Sequence, residues 1–279
     1  MSKAFHTWRE DPDESPGSPK TRTYKSFTKG ELSYPTVKHD EPYILEEDHY
    51  LKTISDEDLY RKNENKVVSN KCSYILESLE GKAIQITALH VDIVNSSEKV
   101  KVLSDEVAGE YYQAFLESAS DLIDYYGGYV LKNVGDCVIG FFPCSKYYVE
   151  NHDKAVLCGL AMRKMINDYL NPYFMEKKLP SIECRVSADF GTARVIRIRS
   201  NSDYSAIDLF GSVMNYAAKI SHCAKPNQMV VGDNLFWRLI DMKMFEFKLI
   251  HRWDLIGKKT YPVFLVEHGE DKKRGENNE

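Results

Sequence analysis

The chain has 279 residues, 43% of them hydrophobic, enough to bury one good core with a small accessory segment but hardly two full domains. Its 42 acidic and 37 basic residues nearly balance, so no overall field recruits nucleic acid or a membrane surface, and a small-molecule or protein partner is expected instead. Six cysteines lie far apart without a CxxC pair, which excludes a zinc or disulfide framework, and there is neither a signal peptide nor an apolar run near the roughly 20 residues of a membrane span. A soluble, cytoplasmic protein with reduced thiols is expected.

Residues 1–42 are polar, rich in Pro, Ser, Lys and Asp, and lack a sustained hydrophobic period; they are expected to form a disordered tail. In residues 43–80, Ser55 followed by Glu57 and Asp58 precedes apolar positions at mixed helical spacing, which fits one or two short lead-in helices. The strong pattern occupies residues 81–268, taken as one domain, with a second disordered tail at 269–279. AIQITALHVDIV is a nearly continuous apolar, β-branched run suited to a strand buried on both faces. Leu103, Val107, Tyr111, Phe115, Leu122 and Tyr126 then follow a helical period that Gly127-Gly128 stops. YVLKNVG and DCVIGFF read as strands joined by a tight turn at Gly135-Asp136.

A second helix, HDKAVLCGLAMRKMINDYL, is expected to end before Pro172, and IECRVSADFG supplies another strand. RIRSNSDYSAID reads as a loop whose two arginines can reshape a neighbouring pocket. GSVMNYAAKISHCA is a helix, QMVVG a strand, NLFWRLIDM a short helix, and FEFKLIH with TYPVFLVEH a closing hairpin. The order βαββαβ, then αβ and a hairpin, predicts an α+β fold on the ferredoxin-like split βαβ plan with additions.

In that plan the first strand and the following hairpin are neighbours, so Asp92 in HVDIVNSS and Asp136 in LKNVGDCVIGFF meet at one sheet end. Carboxylates that close repel unless a cation lies between them. A pair of magnesium ions removes the penalty and keeps positions open for phosphate oxygens. The plainer reading makes Asp92 a strand-end residue and Asp136 a turn former; the pairing in this strand order favours the metal reading. The carbonyl of Ile93 is a candidate further ligand.

Here the residues resemble the class III adenylyl and guanylyl cyclase catalytic domain, from about Ala83 to His268. HVDIVNSS and LKNVGDCVIGFF look like its two metal motifs, DLFGSVMNYAAKI like its base and ribose segment, and DLIGKKTYPVFLV like its closing hairpin. The resemblance assigns Asp92, Ile93 and Asp136 to two divalent ions, Mg2+ or Mn2+. It assigns Lys132 and Asp208 to adenine recognition, Asn215 to the ribose, Lys219 to the transferring phosphoryl group, and Lys258, or its neighbour Lys259, to the triphosphate.

Those assignments imply an adenylate cyclase that turns ATP into 3′,5′-cyclic AMP and pyrophosphate in a head-to-tail homodimer. The residue types suit the task, since a lysine donates to a ring nitrogen of adenine and a carboxylate accepts from its amine. Taken singly, each of these residues has a plainer reading as a surface charge or a cap; together they fall at the family's offsets. Two departures stand out: NSS follows the first metal motif where Gly-Phe-Thr is frequent, and Lys219 replaces the usual arginine, losing its planar fork, so slower turnover is expected. The alternatives are a catalytically weak or inactive nucleotide-binding module of the same fold, and a cyclase that takes GTP or a pyrimidine nucleotide.

Overall fold

The computed structural model describes residues 71–144, 151–200, 205–239, 244–255 and 259–268. Both expected tails, and the lead-in before residue 71, fall outside these residues. Of the lead-in, helix α1 (Lys71–Ser78) is described, with Cys72 and Leu76 buried.

Strand β1 (Ala83–Ile93) is buried from Ile86 to Val91, as its apolar run requires. The short α2 (Ser96–Val100) follows, and then α3 (Asp105–Tyr125). Helix α3 starts where the Ser104 side chain accepts a hydrogen bond from the Val107 N–H, with Asp105 and Glu106 complementing the first turn. It stops at Gly127, whose φ of +79° is left-handed. Strands β2 (Tyr129–Val134) and β3 (Cys137–Cys144) form the hairpin, α4 (Asn151–Met165) crosses back, and β4 (Cys184–Arg199) follows. The order β2-β3-β1-β4, antiparallel throughout, is the split βαβ plan.

The additions extend that sheet. β5 (Ser205–Phe210) pairs with the far half of β4, α6 (Ser212–Ile220) packs on β4 and β1, and β6 (Gln228–Gly232) lies parallel to β4. After α7 (Asp233–Phe236), β7 (Phe245–Leu255) and β8 (Lys259–His268) close the hairpin beside β6, giving an eight-stranded sheet among the described residues. One sheet face packs on α1 and α6 through Ile86, Ala88, Phe141, Val195, Leu209, Val213 and Ala217. On the other face Thr87 hydrogen-bonds His152 of α4 at 2.9 Å.

Three expectations are corrected. The segment read as a loop after IECRVSADFG is strand: β4 runs to Arg199 and β5 returns along it. Its alternation of Val195, Ile196 and Ile198 with Arg197 and Arg199 is a half-exposed strand pattern. Both arginines engage Glu80, Arg197 Nε at 2.8 Å and Arg199 Nη2 at 3.3 Å, so they brace the start of β1. The helix before Pro172 does not end there. It passes through a π-helical turn (Ile166–Leu170) into α5 (Asn171–Glu176), where Pro172 occupies one of the first two positions, the part of a helix that best tolerates proline. Of the helix expected across NLFWRLIDM, the described residues, which there end at 239, carry helix only to Phe236, in the four residues of α7.

Candidate active site

Residues directly opposed across neighbouring strands project from the same face, and the register therefore maps the site. Asp92 of β1 lies opposite Cys137 of β3 and Arg185 of β4. His90, two residues earlier, lies opposite Ile139 and Ser187, and Ile139 in turn faces Lys132 of β2. Lys132, His90, Asp92 and Arg185 thus share the face that α6 covers, where Ser187 donates to the Ala217 carbonyl at 2.8 Å. Lys132 reaches that face through a β-bulge between Val130 and Lys132. With an unbroken register Leu131 would stand opposite Ile139 and Lys132 would point to the other side.

Asp136 sits in the tight turn between β2 and β3, after Gly135 at φ +62°. Burial raises the pKa of Asp92, and the neighbouring Asp136 carboxylate raises it further, while Arg185 and His222 pull the other way. The two carboxylates are therefore close enough to repel. Burial, with Asp92 and Asp136 adding, pushes the Cys137 thiol up to about 12. Ile93 ends β1 directly after Asp92 with its side chain buried, so only its backbone is left to offer an oxygen. Among the described residues no cluster of three or more His, Cys, Asp or Glu is placed to hold a metal. Two carboxylates with backbone oxygen suit a hard cation such as Mg2+, which takes few protein ligands and completes its shell with water and phosphate.

Lys132 and Asp208 form an ion pair between β2 and β5. The second oxygen of Asp208 accepts from the Leu209 N–H at 2.8 Å, which fixes the carboxylate plane. Asn215 and Lys219 lie one turn apart on the exposed side of α6. His222 follows them in the next turn and acts on Asp92. Lys258 lies outside the described residues, and Lys259 opens β8. The structure thus gathers the predicted residues into two groups: Asp92 with Asp136, and Lys132 with Asp208.

Sequence reasoning missed Arg185, His222 and the pair of His90 with Cys137, whose Sγ and Nδ1 are 3.7 Å apart. A signal was present, since His90 and Asp92, and Arg185, Ser187 and Asp189, are polar residues at every second position of otherwise apolar strands. Asp189 is fully buried. It accepts from the Tyr261 hydroxyl at 2.5 Å, the Phe190 N–H at 2.9 Å and the Leu235 N–H at 3.3 Å, tying β4 to α7 and β8. Burial pushes its carboxyl up to about 7 against these hydrogen bonds, with Asp233 adding.

Residues 80–268, well over half of the chain, match the family described as Adenylate and Guanylate cyclase catalytic domain. The chain is 25% identical over 181 residues to a uridylate cyclase of Burkholderia cepacia, covering 63% of this chain and 76% of that protein. It is 29% identical over 144 residues to a uridylate cyclase of Rhodovulum sp. (strain MB263), covering 50% and 58%. With a cytidylate cyclase of Escherichia coli it shares 22% identity over 166 residues, 55% of this chain and 35% of that protein. The match therefore spans little more than half of the second relative and about a third of the last. Among solved structures, the adenylyl cyclase CyaB from P. aeruginosa superposes with a TM-score of 0.60 at 20% identity, over 67% of this chain and 95% of that one. That likeness is one of fold.

Proposed function

Because this chain belongs to the adenylate and guanylate cyclase catalytic-domain family, we propose that it cyclises a nucleoside triphosphate at a site completed between two copies of itself. The ribose 3′-oxygen bonds to the α-phosphorus as its proton leaves, and the bond from that phosphorus to the β-phosphate bridging oxygen breaks, releasing pyrophosphate. The observation that carries this reading is the meeting of Asp92 and Asp136 at one sheet end, on the face where a bulge also sets Lys132 against Asp208.

Asp92 and Asp136, with the Ile93 carbonyl, would hold two divalent ions, Mg2+ or Mn2+. When bound, such ions lower the pKa of the attacking hydroxyl and neutralise phosphate charge. The remaining work falls to this chain's own side chains. Asn215 orients the ribose, Lys219 balances charge on the transferring phosphoryl group, and Arg185, directly opposite Asp92, along with Lys258, takes up charge on the departing pyrophosphate. In one chain Lys132 is engaged with Asp208 while Asp92 is surrounded by Asp136, Arg185 and His222. With the base-reading pair closed on itself and the carboxylates set apart from it by other partners, the reading that fits is a homodimer in which each copy offers its carboxylates to a nucleotide read by the other.

An ammonium donor beside a carboxylate acceptor matches a base with an unprotonated ring nitrogen next to an amino group. Adenine (N1, N6) and cytosine (N3, N4) both present that edge, so ATP and CTP are the substrates this pair favours. A pyrimidine triphosphate is further supported by the names of the uridylate and cytidylate cyclases above. UTP would fit with the base displaced by one position, O4 accepting from Lys132 and N3–H donating to Asp208. The test incubates purified protein and its Asp136→Ala variant with ATP, CTP, UTP and GTP and either metal, and identifies products by mass spectrometry. A 3′,5′-cyclic nucleotide from the wild type alone is expected; no cyclic product from any triphosphate refutes the cyclase reading.

A further inference from the structure

His90 is the buried polar side chain that the reading above leaves unused. It is 8% exposed, and its Nε2 is buried with no hydrogen-bond partner, which is costly in a finished core. Its place is informative: one strand across from Ile139, in the same row as Lys132, and one row from Asp92. Lys132 is the charged group that acts on the ring. Its Nδ1 faces the Cys137 Sγ at 3.7 Å. Where the Cys137 Sγ donates to Nδ1 rather than to its other acceptor, the Val138 carbonyl, the ring hydrogen sits on Nε2, a donor without a partner.

Resting on the cyclase reading, we propose that His90 is a third base-reading residue, whose Nε2–H donates to the O2 carbonyl of cytosine once the base has drawn Lys132 away from Asp208. Cytosine then satisfies three groups: N4 gives to Asp208, N3 takes from Lys132, and O2 takes from His90. Adenine offers only a C–H at the equivalent position and leaves the His90 donor unpaired, while guanine presents an amino group that opposes it. Uracil, held one position over with O4 on Lys132 and N3–H on Asp208, turns C5–H rather than O2 toward His90. The pocket thereby prefers CTP over ATP and UTP, with Cys137 as the positioning residue that holds the ring's tautomer.

The probes are 3′-deoxy-CTP and 3′-deoxy-ATP, which lack the attacking oxygen, titrated calorimetrically with Mn2+ into wild type, His90→Phe, His90→Gln and Cys137→Ala. A parallel product assay uses equal amounts of ATP, CTP and UTP. Wild type should bind the cytidine analogue more tightly, and His90→Phe should shrink that preference about tenfold, the worth of one hydrogen bond to the base, without weakening the adenosine analogue. His90→Gln, which keeps an N–H, should retain most of the preference. If His90→Phe does not fold, Cys137→Ala carries the test, and its preference should fall in part. An unchanged ratio in folded His90→Phe, a wild type that prefers the adenosine analogue, or failure to bind either analogue overturns the proposal. Preference without cyclic product sinks the cyclase reading alone, and cyclic product with an unchanged ratio sinks the role of His90 alone.

Discussion

Asp189→Asn is expected to reshape how stability depends on pH. The folded carboxyl is pushed up to about 7 by burial, against about 3.9 in an unfolded chain. Between those values the folded protein holds a proton that the unfolded chain has released, so the group's contribution is full at low pH and is lost as pH rises through about 7. From pH 5 to pH 8 the ionising interval spans roughly two pH units, each worth about 1.4 kcal/mol, for a loss of roughly 3 kcal/mol. Asparagine keeps an oxygen for the N–H groups of Phe190 and Leu235 and gives its amide N–H to Tyr261, the groups now bonded to Asp189, and it cannot ionise. Urea unfolding at both pH values should show the wild type losing about 3 kcal/mol more than the variant across that range, with the variant the more stable at pH 8. Parallel losses in the two proteins would refute the assignment of a costly buried charge to this position.

Two further outcomes follow from the same geometry. Mixing inactive Asp136→Ala with inactive Lys132→Ala chains should restore about a quarter of wild-type turnover, because half of the exchanged dimers are mixed and each of those has one intact site of two; no recovery after subunit exchange argues against a shared site. Gly211→Ala should destabilise by about 1–3 kcal/mol and reduce cyclase activity, since a Cβ there meets the Thr192 carbonyl and lies 2.9 Å from the Ala193 Cα, prying α6 from β4; thermal melts beside product assays check both.

The strands and helices that frame the site were legible because their periods are clean: β1 is apolar at nearly every position and α3 repeats on one helical face. The pairing of Asp92 with Asp136 followed from topology alone, since the split βαβ order makes β1 and β3 neighbours. The far half of β4, and with it the returning β5, was hidden because alternating isoleucine and arginine at 196–199 looks polar when read as a stretch. The helix continuing through Pro172 was hidden because a proline reads the same whether it stops a helix or starts the next one. The position of His90 relative to Lys132 was beyond reach for a different reason. It depends on the bulge at Val130/Lys132, and a one-residue register change moves a whole strand's side chains between faces without altering the hydrophobic pattern enough to announce itself.

That bulge also explains why discrimination among bases is expected to be strong. By turning Lys132 onto the α6 face it lets the ammonium and Asp208 neutralise each other when no nucleotide is present. A base that brings a matching acceptor and donor replaces both bonds one for one, so separating the pair costs little. A base that mismatches either group leaves an ion partly buried and unpaired, and the penalty for that exceeds the gain from any single new contact. On the proposed reading the closed pair would act as the reference against which every entering base is weighed, and a Lys132→Met variant, which frees Asp208 from that competition, should lose selectivity along with affinity when the four triphosphates are titrated into it.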